Sequence, residues 1–222
     1  VGSEMCIRDR TEFEDNSFDV VVGNVPFGDF RLYDPRYKKM KLKVHDYFIR
    51  KSMDLLRPGG ILAVVTSKGT LDKNDSTVRK NLAEQADLLG AVRLPADSFG
   101  KSANTAVTSD LLFFQKKAEP LMGEPIWTYT GLTEDMVPVN EYYLEHPEMM
   151  LGKMVWFEQF FGKDSKYTAL VNNAEDFDLE KGILDAVGEL PQNCYEESIA
   201  EKKKEEQDVL AASPEIPNYT FT

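Results

Sequence analysis

Short β-branched runs alternating with amphipathic stretches constrain this chain more than any other feature. Phe18-Asp19-Val20-Val21-Val22-Gly23 suits a strand buried on both faces of a parallel sheet. Between Val44 and Leu56 the residues Tyr47, Phe48, Met53, Leu55 and Leu56 fall on one helical stripe. Pro58-Gly59-Gly60 is expected to stop that helix. Ile61 to Val65 reads as a second buried strand. Asp75 or Ser76 is placed to cap a helix running through Val78 and Leu82 to about Gln85. Leu88 to Leu94 and Val107 to Gln115 read as third and fourth strands. Strands alternating with helices at this spacing imply an open α/β sheet with right-handed crossovers. The last two strands are joined without an obvious helix, so they are expected to be antiparallel neighbours.

After Ala118 the texture changes. Pro, Tyr and acidic residues become frequent, and the strand signals are short: Ile126 to Tyr129, Met154 to Phe160 and Tyr167 to Val171. This predicts a small α+β extension over 118–191, closed by a helix from about Leu179 to Leu190 with Asp176 or Asp178 as its cap. Residues 192–222 read as an acidic tail or linker. The first ten residues, VGSEMCIRDR, fit no periodicity and resemble a translated sequencing-adaptor remnant, which leaves 11–117 as the main domain.

Charge is divided along the chain. Residues 1–117 hold 19 Lys and Arg against 16 Asp and Glu, whereas residues 118–222 hold 7 against 22. The acidity therefore belongs to the C-terminal part. Residues 31–51 carry eight basic side chains against Asp34 and Asp46, which fits either phosphate contact or a solvated lysine-rich loop. No stretch approaches the roughly 18 apolar residues of a membrane span, and the start lacks the pattern of a secretory signal. A cytoplasmic location is the expectation. Cys6, Cys194, His45 and His146 stand alone, so neither a disulfide nor a metal site is expected, and the histidines read as ordinary surface or packing residues.

The residues that carry chemistry are Asn24-Val25-Pro26-Phe27, at the C-terminal end of the first strand. In an open α/β sheet that edge is where ligands bind. Taken alone, the cluster is also compatible with an Asn turn closed by Pro and a core Phe. Thr66-Ser67-Lys68-Gly69 ends the second strand on the same edge, where it either lines a pocket, meets phosphate or serves as a plain loop. Trp127, Tyr129, Trp156, Phe157, Phe160 and Phe161 can stack on bases, but their spacing favours core.

The tetrapeptide resembles the NPPF or NPPY motif of adenine-specific DNA methyltransferases, and the likeness continues beyond it. HDYFIRKSMDLLRPGGILAVVTSKGTL, STVRKNLAEQADLLGAVRLPADSF and NTAVTSDLLFFQKK follow the order seen in methylase subunits of type I restriction systems, covering about residues 17–117. GNVPFGD and NEYYLEHPEMMLGKM are similar to segments of helicase-fused DNA methylases of bacterial mobile elements. The resemblance implies the C-terminal half of a Rossmann-like methyltransferase sheet that uses S-adenosylmethionine. It also implies DNA as substrate and a Swi/Snf-like helicase region in the same parent protein.

By that resemblance the Asn24 side-chain oxygen and the Val25 carbonyl receive the adenine amino group, Pro26 stiffens the turn and Phe27 stacks on the base. Lys38, Lys39, Lys41, Lys43 and Lys68 are the candidate DNA contacts. Val25 departs from the commoner proline, which leaves the carbonyl in place but loosens the turn. The family's glycine-rich cofactor turn precedes the Asn-Pro motif, and only thirteen residues separate Asn24 from the suspected remnant. The expectation is therefore a fragment without its cofactor-binding half, inactive alone and exposing the edge of its first strand. Two alternatives stay open: an idle DNA-binding or scaffolding module of a helicase-type protein, and a methyltransferase acting on protein glutamine or RNA.

Overall fold

The computed structural model of the chain describes residues 13–98, 107–156 and 167–195. Four strands form the main sheet: β1 (Phe18–Asn24), β2 (Leu56–Ser67), β3 (Ala86–Leu94) and β4 (Ser109–Lys116). Their spatial order is β1-β2-β4-β3. β1 and β2 run parallel, with Asn24 opposite Val65. β4 is antiparallel to both β2 and β3, so it lies between two strands that precede it in sequence. That the last two strands pair antiparallel agrees with the sequence expectation; the insertion of β4 beside β2 is an addition to it.

The crossover from β1 to β2 is carried by α1 (Val44–Leu55). Of the predicted stripe, Tyr47 and Met53 are buried and Phe48 and Leu55 partly so, while Val44 and Ile49, outside the stripe, are also buried. The helix begins where the Val44 N–H donates to the Phe30 carbonyl at 3.0 Å. Its end differs from expectation. Leu56 already has extended backbone, and Pro58-Gly59-Gly60 lies inside the first part of β2. The β1–β2 register shifts there, between Phe18 and Val20. A Cβ on Gly60 would stand 2.8 Å from the Asp19 carbonyl oxygen and 2.9 Å from that of Arg57, so the glycine permits a close backbone approach at a bulge rather than a helix stop.

β1 also departs from the two-sided burial its sequence suggests. Val20 and Val22 are 47% and 76% exposed, because α1 covers only the opposite face. Among the described residues β1 pairs with β2 alone.

Beyond β2 stand a short α2 (Gly69–Asp72), which the sequence reading does not anticipate, and α3 (Thr77–Gln85). The Asp75 carboxylate accepts from the Thr77 N–H at 2.9 Å, so Asp75 rather than Ser76 supplies the capping hydrogen bond.

In the extension, Ile126–Thr128 is a 3-10 helix and not the expected strand. Pro125 accounts for this: its carbonyl accepts from both the N–H and the hydroxyl of Thr128, each at 2.9 Å, which closes a tight turn. β5 (Thr130–Leu132) and β6 (Pro138–Asn140) form one hairpin, followed by α4 (Glu141–Glu145). β7 (Lys153–Trp156) pairs antiparallel with β8 (Thr168–Val171). α5 (Leu179–Gly188) is capped by the Asp178 side chain, which accepts from Lys181 N–H. The expected strand end at Phe157 to Phe160, the tail beyond 195 and residues 1–10 lie outside the described residues.

One apolar core runs through sheet and extension: Leu62, Leu82, Leu112 and Phe114 share a cluster with Trp127, Tyr142, Tyr143 and Ala186. At its centre Arg93 is fully buried. It donates to Asp110 at 2.8 and 2.9 Å and to Asp72 at 2.7 and 2.9 Å, and the Tyr143 ring centroid lies 4.2 Å from its guanidinium carbon. Asp72 also accepts from the Asn140 N–H at 2.9 Å. This cluster ties β3, β4 and α2 to the extension. Removing the cation would strand two carboxylates in the interior. Arg93→Met is therefore expected to cost about 3–5 kcal/mol, read as a lowered midpoint in urea denaturation.

Candidate active site

The C-terminal rim of β1 and β2 brings Asn24-Val25-Pro26-Phe27 to the edge of the sheet. Parallel pairing continues one residue past β1, where the Val25 N–H donates to the Val65 carbonyl at 3.0 Å. That bond fixes the peptide following Asn24. Val25 is buried at 7% exposure, Asn24 is exposed, and Phe27 is 40% exposed. Asn24 is thus turned outward and not into the core.

A cavity of about 470 Å³ opens beside the rim. Val21, Gly23, Asn24, Val25 and Pro26 form one wall, and Phe48, Lys51, Ser52 and Leu55 of α1 form another. Three of the four motif residues meet there; Phe27 is not among the lining residues. Phe48 and Leu55 belong to the helical stripe visible in the sequence. Lys51 and Ser52 had no signal of their own, and only the crossover geometry brings them opposite Asn24. Among the described residues no acidic side chain lines this cavity.

The loop after the motif returns to α1 through specific bonds. Gly28 packs against the Phe30 ring, where a Cβ would stand 2.7 Å from a ring carbon. Tyr47 donates to Asp34 at 2.9 Å and Tyr37 to Asp54 at 2.7 Å. Arg36 pairs with Asp15 at 2.7 Å and with Asp54 at 3.0 Å. A second cavity, of about 460 Å³, is lined by Tyr33, Asp34, Arg36, Tyr37 and Tyr47 and shares Phe13, Lys51 and Leu55 with the first.

The five candidate lysines have different fates. Lys38 and Lys39 are exposed on a 3-10 helix (Lys38–Met40), and Lys41 follows it, also exposed. Lys43 is exposed but pairs with Asp29 at 2.7 Å, a surface contact of small net energy. Lys68 is half-buried, donates to the Thr168 hydroxyl at 2.8 Å and stands 5.5 Å from the Tyr167 ring centroid. The stacking candidates also divide: Trp127 is core, packed on Phe114. Tyr129 and Trp156, read as core from spacing, are each 41% exposed, because Tyr129 follows the 3-10 turn and Trp156 ends β7. Phe157, Phe160 and Phe161 lie outside the described residues.

His45, read as an ordinary surface or packing residue, stands in the first turn of α1 at 7% exposure. Its Nε2 lies 3.6 Å from Asp46 Oδ1, and Asp46 in turn is paired with Lys73. Among the described residues no three His, Cys, Asp or Glu side chains gather to hold a metal ion, and no helix is long and apolar enough to cross a membrane. Cys194 carries a free thiol.

Known proteins are similar to this chain. Residues 5–178 match the N-6 DNA Methylase family. Over 153 residues the chain is 31% identical to Defense against restriction protein B of Escherichia phage P1, a match covering 65% of this chain and 6% of that protein. Among solved structures, a Listeria monocytogenes protein assigned as a class I S-adenosylmethionine-dependent methyltransferase aligns at 20% identity and TM-score 0.41, covering 52% of this chain and 36% of that one. The M protein of the type I restriction enzyme EcoKI aligns at 20% identity and TM-score 0.37, covering 57% and 29%. The chain thus spans a small part of the phage relative and about a third of each structure.

The buried imidazole generates a prediction. Desolvation lowers the His45 pKa from 6.5, opposed by the Asp46 carboxylate. The unfolded chain then binds a proton that the folded chain does not, so this contribution to stability is fully present above about pH 6.5 and is lost as pH falls below it. Urea denaturation between pH 7.5 and 5.5 is expected to show a loss of up to about 1.4 kcal/mol per pH unit from this group, absent in His45→Gln.

Proposed function

The chain belongs to the N-6 DNA methylase family, and on that premise we propose that it carries the target-base side of an adenine-specific DNA methyltransferase. The observation that carries this reading is the outward Asn24 at the rim of β1, followed by a peptide pinned to Val65 and bordering a cavity. Adenine's exocyclic nitrogen is a poor nucleophile, because its lone pair is delocalised into the ring. The base is also stacked within the duplex, and extruding it costs a few kcal/mol.

The Asn24 side-chain oxygen and the Val25 carbonyl accept the two amino hydrogens. With both hydrogens held, the nitrogen lone pair points in one direction, which replaces a search among orientations with a fixed approach. Phe27, exposed at the same rim, stacks on the extruded base and returns roughly 1–3 kcal/mol. Pro26 limits the turn's freedom. A bound cationic methyl donor would meet a neutral amine, and the largely apolar wall of the cavity would favour the spreading of charge between them.

S-adenosylmethionine supplies the electrophilic methyl group in this reading. The described residues do not make a full seat for it: the cavity offers apolar walls with Lys51 and Ser52, but no carboxylate for the ribose. Among the described residues no glycine-rich turn leads from a strand into a helix ahead of Asn24. The contribution of these residues is that of Asn24 to Phe27 toward the base. The exposed Lys38, Lys39 and Lys41 meet DNA phosphates, and Lys43 joins them if its bond to Asp29 opens. A tethered helicase region is part of the same proposal.

The test is Asn24→Ala in the full-length protein that the coding sequence specifies, assayed by methylation-sensitive digestion and by mass spectrometry of N6-methyladenine. Loss of an acceptor to the reacting amine, a bond of about 1.5–3 kcal/mol, lowers the rate roughly 10–100-fold with DNA affinity retained. Val25→Pro is expected to keep activity, since it preserves the carbonyl. Unchanged adenine methylation by Asn24→Ala would exclude the catalytic role.

A further inference from the structure

Lys68 is held differently from the other candidate DNA contacts. It follows β2 at the rim, three residues past Val65, the Cα partner of Asn24, and so lies within about 10 Å of that pairing along the strand. Its ammonium is half-buried, yet among the described residues no carboxylate forms an ion pair with it. The acidic groups that influence it most, Asp72 and Asp110, are both engaged by Arg93. Its protein partners are the Thr168 hydroxyl at 2.8 Å and the Tyr167 ring at 5.5 Å. One hydroxyl satisfies one of three ammonium donors.

Burial pushes the Lys68 ammonium's pKa down. Asp72 and Asp110 offset part of that cost from a distance, but the direct contacts of the ammonium among the described residues are neutral, so it can still take an anion as hydrogen-bond partner. We propose that Lys68 is the seat for a backbone phosphate of bound DNA, beside the loop that receives the target base. Lysine suits this as a compact point charge with rotatable donors. Thr168 and Tyr167 supply the opposite wall, so the extension takes part in building the DNA surface. This inference rests on the DNA-methylase reading and adds to it a defined phosphate contact, distinct from the solvated lysines of the 31–51 loop.

The test is fluorescence anisotropy of the whole chain with a fluorescein-labelled duplex, titrated from about 50 to 200 mM salt. Lys68→Met is expected to weaken binding several-fold and to lower the slope of log K against log salt by about one. Lys68→Arg keeps the slope. Thr168→Val leaves affinity unchanged or raised, since only a competing protein partner is lost. A Lys68→Met slope equal to that of the unmodified chain overturns the proposal. So does a Thr168→Val loss as large as that of Lys68→Met, which would make the contact a structural tether. If Lys68→Met does not fold, Lys68→Gln, which also removes the charge, is read by the same slope criterion.

A Lys68-dependent thermal shift with S-adenosylhomocysteine alone, with the DNA slope unmoved, would overturn the phosphate seat and assign the site to a carboxylate instead. An unmodified chain that binds no duplex sinks the DNA reading as a whole, whereas binding that ignores Lys68 sinks only this inference.

Discussion

The parallel pairing of β1 with β2 governs the rim on which the proposed chemistry depends. Its register sets Asn24 against Val65, and the bond from Val25 N–H to the Val65 carbonyl carries the pairing one residue beyond the strand. A side chain there can face outward while its following peptide is held by the sheet. That combination of a free carboxamide and a fixed backbone is what orienting an amino group requires, and a flexible loop would not provide it. The same pairing brings Lys68, at the end of β2, to the neighbourhood of the motif.

The second constraint is the buried Arg93 with its two carboxylates. β4 lies between β2 and β3, so Asp110 on β4 faces Arg93 on β3 directly, while Asp72 arrives from the end of α2. Burying three ionised groups is costly, and only nearly complete hydrogen bonding makes it tolerable. Because Asp72 also holds the backbone of Asn140, the extension is joined to the sheet by polar bonds as well as by the shared apolar core. The arrangement also occupies the acidic groups around Lys68. Lys68 therefore has no carboxylate in ion-pair contact among the described residues, although Asp72 and Asp110 still attract its charge.

Much of this was legible in the sequence where the signal is local. The valine run, the stripe of α1 and the Asp178 cap depend on residues a few positions apart, and each appears close to its expected limits. The position of Asn24 at a strand end was legible for the same reason, since the end of a strand is a short-range feature. Errors fell where a local signal had two outcomes. Pro58-Gly59-Gly60 can stop a helix or open a bulge, and the approach of the Asp19 carbonyl decided for the bulge. Ile126 to Tyr129 is apolar enough for a strand, but Pro125 closed it into a turn.

By itself, then, the sequence determined the alternation of strands and helices and the seat of Asn24 at a strand end, because periodicity and turn chemistry act over a few residues. Only the tertiary structure decided the strand order, the separate fates of Lys43 and Lys68, and the meeting of Lys51 and Ser52 with the motif. Those depend on partners far apart along the chain: Asn140 and Asp72 are separated by 68 positions, Lys68 and Thr168 by 100. Contacts of that range are selected by the packing of the whole core, and no local pattern encodes which one forms.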